Sequence, residues 1–547
     1  MSFKKISLIL LGLIASIFLI GAIESQYFKI NKSFEIFGEF FRELNRNYVD
    51  EIDPEELMKD GIEGILSKLD PYTTFISEDG SDELEFITSG AYAGLGITVS
   101  TIEGKLTIVD VHDGFTAAKN GIRVGDRIYA IDTNVVLYIH SDELRKYTKG
   151  LIGEKLHLKI LRDGLDDTLK FVLTREEINM KNVPFYGIIH DSIGFIKLDR
   201  FTKNSASDVT EALNKLKRTG KMRGLILDLR DNPGGLLESA VTICELFVPK
   251  NSVIVSTKGR DNREKKTYKS LLEPVEPNIP MAVLINSNSA SAAEIVAGAL
   301  QDLDRAIVIG EKSYGKGLVQ SIFELPYNNA VKITTSKYYI PSGRCIQRIN
   351  YGKKNNADTL QEFFTKNGRK VDESIGIIPD TTTKEGSMPF FVEDLLMNGY
   401  IFKYANYYSS TLEKIPDNFK VDEKILSSFS SFIDKEDYKY QTPVISKVDE
   451  LMKLIEQEKL NNGLKGKLEK LKKEISFEEK DLIKKNSDDL SKLLETEILR
   501  RFNTQEFMLK KSLNTDKDVL TAINMLNFDV YKSVLSIDNL KVKKSNN

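Results

Sequence analysis

Leu225-Ile-Leu-Asp-Leu-Arg-Asp-Asn-Pro-Gly-Gly235 is the stretch on which the fold turns. Its opening run, Leu225 to Leu229, is apolar except for Asp228, too short for a helix and bounded by turn residues, so it reads as a buried strand. Pro233, Gly234 and Gly235 end it, and helical spacing follows from Leu236 to Phe247. The pattern repeats outward. Apolar strands at Ala282 to Ile285 and Ala306 to Ile309 alternate with helical stretches at Ser205 to Arg218 and Ala290 to Leu303. Between Gly187 and about Asp380 this alternation predicts an α/β layer structure. The glycine pair has two readings. It presents a backbone N–H to an oxyanion, or it only makes the turn, with Asp228 and Arg230 as a structural ion pair.

Two more segments of this region carry chemistry. Asn286-Ser-Asn-Ser-Ala-Ser-Ala-Ala-Glu294 joins a strand to a helix, and its small residues let the helix start approach other backbone. Unpaired N–H groups there can stabilise a developing anion; a serine hydroxyl is placed for attack but needs a base. The four histidines, His112, His140, His157 and His190, lie away from these segments, and nothing supports a Ser-His-Asp triad. Gly310-Glu-Lys-Ser-Tyr-Gly-Lys-Gly-Leu-Val-Gln320 offers a different base. Desolvation of Lys316, between two glycines and beside Leu318 and Val319, would disfavour its ammonium form and let the neutral amine accept a proton, with Gln320 orienting that amine. A phosphate-loop reading of Gly310-x4-Gly315-Lys316 fails, because Gly317 stands where a magnesium-binding hydroxyl is required.

Around this core the patterning changes. Ser33 to Leu69 carries helical spacing, with Phe34, Phe37, Phe40, Phe41 and Leu44 on one stripe, and stops at Asp70-Pro71; a small helical hairpin is expected. From Gly90 to Arg175 short β runs at Leu95 to Val99, Leu106 to Val111, Arg127 to Ile131 and Leu156 to Leu161 predict a β-rich module. Beyond Asp380 the composition becomes Lys/Glu-rich, and Leu464, Leu468, Leu471 and Ile475 mark amphipathic helices whose stripes pack on one another or on a second subunit.

At the other end, Ile6 to Ile23 form 18 positions whose only polar side chain is serine, behind Lys4 and Lys5. This is an export signal or signal-anchor, an uncleaved anchor being favoured, with the rest of the chain on the outer side. The 547 residues suffice for several domains. A balance of 77 Lys+Arg against 80 Asp+Glu supplies no field to gather nucleic acid. Two cysteines and four scattered histidines give no disulfide framework and no metal-ligand spacing.

The Ser-Ala-Ser-Ala-Ala-Glu-Ile run, Gly-Lys-Gly-x-x-Gln and Asp-Leu-Arg-Asp-Asn-Pro-Gly-Gly resemble the C-terminal processing proteases, tail-specific serine peptidases with a Ser-Lys dyad and a PDZ domain. Asn47-Tyr-Val-Asp50, Leu69-Asp-Pro71 and Gly376-Ile-Ile-Pro-Asp380 extend the likeness, and Gly94-Leu-Gly-Ile97 resembles a PDZ carboxylate-binding loop. The resemblance implies Ser291 as nucleophile, Lys316 as general base, Gln320 as orienting amide, and the N–H groups of Gly235 and Ala292 as oxyanion donors. It implies that Gly94, Leu95, Gly96 and Ile97 bind the tail of protein substrates with apolar C-termini, without metal or other cofactor. Ala293 departs from the family, which often has a second serine there.

The expected class is multidomain α+β. It comprises an anchor (1–24), an N-terminal helical hairpin (30–79), a PDZ-like β-module (80–175), an α/β peptidase core (176–385) and a helical C-terminal appendage (386–547). Membrane attachment through residues 6–23 would place it at the periplasmic face of the inner membrane, with self-association open to its N- and C-terminal helices. The rival expectation is a catalytically silent, PDZ-bearing binding or scaffold protein of the same fold.

Overall fold

The computed structural model describes residues 26–78, 91–261, 265–349, 351, 362–373, 376–383, 388–410, 412, 414–416, 418–440, 442–458, 460, 462–478 and 481–536. The apolar run 6–23 and the tail 543–547 lie outside the described residues. No helix among the described residues is long and apolar enough to cross a membrane. The chain divides into two units, Met1–Glu78 with Gln320–Thr334, and Asp79–Val319 with Thr335–Asn547.

In the first unit the helical hairpin resolves into helices at 26–47 and Pro54–Leu66. The second starts where Asp53 accepts the N–H groups of Glu55 and Glu56, with Pro54 supplying the fixed φ of a first helical turn. Thr74–Ile76 then pairs antiparallel with residues 330–332. The two strands Leu318–Glu324 and Ala330–Tyr339 pair with each other. Sequence patterning did not predict them, since Lys332, Thr334, Thr335, Ser336 and Lys337 interrupt the apolar alternation.

In the second unit, the β-module has the strand order Ile97–Ile102, Lys105–Val111, Arg127–Ile131, Lys155–Leu161, Leu169–Thr174. Leu106, Ile108, Ile128, Leu156, Leu158 and Ile160 fill its interior. The strand expected at Leu95 to Val99 begins instead at Ile97, because Gly96 sits at φ +75°, a left-handed kink that no strand accommodates. Ile97–Ile102 is an edge strand, hydrogen-bonded on one side only within its sheet.

The α/β core is built on a six-stranded sheet in the order Phe185–Ile189, Ile193–Lys197, Gly224–Asp228, Met281–Ile285, Ile307–Gly310, Thr381–Thr382. The first pair is antiparallel and the rest are parallel. Side chains alternate between its faces. Leu225, Leu227, Val283 and Ile285 meet the helices Ser205–Arg218, Leu237–Glu245 and Ala292–Asp302. Ile226, Ala282, Leu284, Ile307 and Ile309 face the other way and are covered by Val519, Ala522 and Leu535, from the helices Lys517–Met525 and Phe528–Leu535, and by Leu526 between them. The C-terminal region is therefore only partly an appendage. Phe391, Leu395, Tyr404, Phe429, Leu490 and Leu494 form a core of their own that does not include the expected stripe, of which Leu464 and Leu471 stay exposed, whereas the last two helices pack on the sheet, whose second apolar face would otherwise lie in water. The same region grips the β-module: Arg500 donates to the Val109 carbonyl and pairs with Asp110, and Lys403 pairs with Glu103.

Candidate active site

Ser291 stands at the corner between the strand Met281–Ile285 and the helix Ala292–Asp302, and it holds φ at +55°. A β-carbon-bearing residue adopts that value only under restraint. The restraint is Glu294, whose Oε2 accepts the Ser291 N–H at 2.8 Å. Ser291 is half-buried. Ser289 is fully buried, and its hydroxyl donates to the Leu229 carbonyl at 2.8 Å while accepting the Asn286 N–H at 2.9 Å. Of the two, Ser289 ties the loop to the neighbouring strand end, and Ser291 keeps access to the surface.

Glu294 does more than cap the helix. Its carboxylate is wholly buried and accepts four hydrogen bonds: Ser291 N–H and Lys316 N–H (2.9 Å) on Oε2, Ser313 Oγ (2.5 Å) and Gly315 N–H (2.7 Å) on Oε1. One oxygen atom thus holds the main chains of Ser291 and Lys316, residues far apart in sequence. On their carbonyl side the buried Tyr338 hydroxyl lies 2.6 Å from the Lys316 oxygen and 3.2 Å from that of Ser291. Burial pushes the Tyr338 phenol well up, so it stays a donor. Burial also pushes the Glu294 carboxyl up to about 7, although all four hydrogen bonds oppose the rise. Gly315, at φ +88°, brings its main chain so close to Arg348 that a β-carbon would meet the Arg348 Cβ at 2.7 Å. The Gly376 to Asp380 motif belongs to this support. Ile377 N–H donates to Ser313 Oγ at 2.6 Å, and Asp380 accepts Val308 N–H and pairs with Arg369.

The Asp228-to-Gly235 stretch forms the expected ion pair and also lies beside the serine corner. Arg230 makes a bidentate pair with the buried Asp228 and also reaches Asp516 and Asp518 at the start of the helix Lys517–Met525. Burial pushes Asp228 up, but Lys197 and Arg230 outweigh it and hold the carboxyl below its usual range. The glycines meanwhile abut the serine corner. A β-carbon on Gly234 (φ +100°) would lie 2.8 Å from Ser291 Cβ and 2.9 Å from Ala292 N. Gly234 N–H is committed to Asn232 Oδ1. Gly235 is held by Phe201, whose N–H goes to the Gly234 carbonyl and whose carbonyl accepts Leu236 N–H; this pattern does not engage the N–H of Gly235.

Gln320 belongs to the other unit, on the strand Leu318–Glu324, and donates through Nε2 to Thr334 Oγ1. Gly94 to Ile97 end the strand Ala91–Gly94 and begin the edge strand of the β-module, with Leu95 buried. The Ser-x-x-Glu spacing of Ser291 and Glu294 is a capping-box signal that identifies Glu294 as a helix-start residue, but its reach to Lys316 leaves no mark in sequence. Tyr338 and Ser313 carry no signal at all.

A β-module with an open edge joined to an α/β core that bends a serine out at a strand-to-helix corner defines a PDZ-bearing serine peptidase fold. The profile of peptidase family S41 matches residues 192–359, that of the PDZ domain residues 93–173, and that of the probable PDZ-protease C-terminal helical domain residues 391–526. A carboxy-terminal-processing protease of Bartonella bacilliformis is 37% identical over 316 residues, covering 57% of this chain and 72% of that protein. A carboxyl-terminal-processing protease of Synechocystis is 34% identical over 296 residues, covering 53% and 68%. The carboxy-terminal processing protease CtpA of Bacillus subtilis is 31% identical over 327 residues, covering 59% and 67%. The chain belongs to peptidase family S41.

Proposed function

We propose that this protein is an endopeptidase that recognises the C-terminal tails of proteins and cleaves them through a Ser291-Lys316 dyad. The observation that carries the reading is the clamp that holds the main chains of Ser291 and Lys316 on one Glu294 oxygen and beside one Tyr338 hydroxyl. In the reaction Ser291 Oγ attacks the scissile carbonyl as Lys316 Nζ takes its proton. The N–H groups of Gly235 and Ala292 receive the oxyanion. The Lys316 ammonium then returns the proton to the leaving amine, and water hydrolyses the acyl-enzyme. Gln320 orients the lysine amine. The test is incubation with an unstructured protein ending in an apolar tail, beside the Ser291→Ala form; products in the first alone support the activity, and none in either favours a silent scaffold.

Tail recognition falls to the edge strand Ile97–Ile102, which can accept one more strand, with the substrate carboxylate on the N–H groups of Gly94 to Ile97. At Gly96 a β-carbon would strike Phe115 Cβ at 2.5 Å in a backbone conformation that itself disfavours it. Gly96→Val is therefore expected to weaken binding of a tail peptide at least ~10-fold while a small active-site acylating reagent still labels Ser291. Loss of labelling together with binding would show that the loop does not act separately.

The apolar run from Ile6 to Ile23, whose only polar side chain is serine, would as a helix at about 1.5 Å per residue reach across most of a bilayer core. We propose that it anchors the protein with the peptidase outside the cytoplasm. Full-length chain is expected in the membrane fraction and open to external protease in spheroplasts; recovery in the cytosol would refute this.

A further inference from the structure

The two N–H groups proposed for the oxyanion come from different loops. Gly235 ends the loop that leaves the strand Gly224–Asp228, and Ala292 follows the loop that leaves the strand Met281–Ile285. The two strands are hydrogen-bonded neighbours, which fixes where the loops start. It does not fix the gap between them further out, and an oxyanion needs both donors within reach of one atom.

A clasp closes that gap. Asp231 N–H donates to Asn286 Oδ1 at 2.9 Å, and Asn286 Nδ2 donates back to Asp231 Oδ1 at 2.8 Å. Asn288 Nδ2 reaches the same Asp231 oxygen at 2.9 Å. The Asn286 amide cannot turn over, since its oxygen faces an N–H and its nitrogen faces a carboxylate. Next to this pair Ala290 N–H donates to the Asn232 carbonyl at 3.0 Å. Asp231 holds φ at +60°, a left-handed value that aspartate tolerates better than most residues. Asp231 and Asn288 are exposed, so the clasp lies at the surface and outside the core.

We propose that Asp231, through Asn286 and Asn288, sets the spacing of the two oxyanion donors. It is a positioning residue, acting through the loops and not on the reacting atoms. The inference rests on the reading of Gly235 and Ala292 as oxyanion donors given above. Exposed hydrogen bonds add little to stability, whereas a displaced donor is felt as negative charge builds on the oxygen. Loss of the clasp should therefore slow acylation and spare both substrate binding and the fold.

The probes are a short peptide ester and its thionoester, whose sulfur is a poor partner for N–H donors, compared by the rate at which each acylates the full-length protein. Wild type should prefer the ester ~100-fold or more. Asp231→Gly removes the side chain at a backbone conformation that glycine adopts without strain. It should slow acylation by the ester ~10- to 50-fold and by the thionoester less than about threefold, with the half-saturating ester concentration changed less than about twofold and the melting temperature nearly unchanged. Asp231→Asn, which keeps the oxygen that both amides use, should stay within about threefold of wild type on either substrate. Equal slowing of both substrates by Asp231→Gly would make the defect a general one, and the proposal would fall. An Asp231→Asn as slow as Asp231→Gly would overturn it too, because the charge and not the clasp would then matter. If wild type prefers the ester and Asp231→Gly is as fast as wild type, only this inference fails. If wild type shows no preference, or is acylated by neither probe, the oxyanion reading fails and takes the inference with it.

Discussion

Ser291→Ala and Lys316→Ala should each reduce proteolysis by ~10⁴-fold or more without altering the melting temperature appreciably, and the double variant should be no worse than either alone. The clamp of Glu294 and Tyr338 acts on the main-chain N–H and carbonyl groups of both residues, which either substitution keeps. Removing a hydroxyl or an amine therefore deletes chemistry and leaves the corner standing. Ser289→Ala is the informative control. Its hydroxyl is buried and spans the Leu229 carbonyl and the Asn286 N–H, so its loss should lower stability by about 1 kcal/mol yet preserve most activity. Rates and thermal unfolding measured on all four proteins check this. A dead Ser289→Ala beside an active Ser291→Ala would reverse the assignment.

Glu294→Gln should be nearly as damaging, for a different reason. Four donors converge on the carboxylate. A glutamine offers one oxygen, and its NH₂ turns towards donors, so two of the four lose their acceptor at about 1–3 kcal/mol for each one stranded in the interior. Activity is expected to fall ~100-fold or more, with a lowered melting temperature. The pH dependence carries an opposition. Burial raises the Glu294 carboxyl from the usual 4.5 to about 7, so the folded protein favours the protonated form. That stabilising contribution is present in full below pH 4.5 and is lost as pH rises through about 7. The four-acceptor geometry that aligns Ser291 with Lys316 exists only in the ionised form and is gained over the same interval. Acidification from pH 8 to 6 should thus slow acylation while this group adds to stability. Acylation of Ser291 and thermal unfolding across that range would show both trends, and an acylation rate that is flat through pH 7 would remove Glu294 from the alignment.

The peptidase region was readable because its information is local. A short apolar run bounded by glycines is a strand wherever it occurs, and Ser205–Arg218 has the helix boundaries its spacing predicts. Ser291, Lys316 and Gln320 are proposed from short motifs of fixed order, while the structure adds which neighbours hold the main chains of Ser291 and Lys316. Those neighbours were hidden because they act across distance. Tyr338 lies on a strand of mixed polarity, and Ser313 is one serine among many. Leu225 to Leu229 could be recognised as buried, but the residues covering one side of that strand, Val519 to Leu535, come almost 300 positions later. Gly96 shows the local limit: apolar neighbours predicted strand through a position where the backbone turns left-handed.

The placing of those last two helices has a consequence for how the protein comes into being. A chain grows from its N-terminus, and the sheet strands from Phe185 to Gly310 are all made long before Lys517 to Leu535 exists. Until then Ile226, Leu284, Ile307 and Ile309 have no cover, and Arg230, five residues ahead of Gly235, lacks Asp516 and Asp518. A growing or truncated chain therefore carries Ser291 and Lys316 on a sheet whose second apolar face is still open to water. Order of synthesis thus decides when the second apolar face of the sheet is closed off from water.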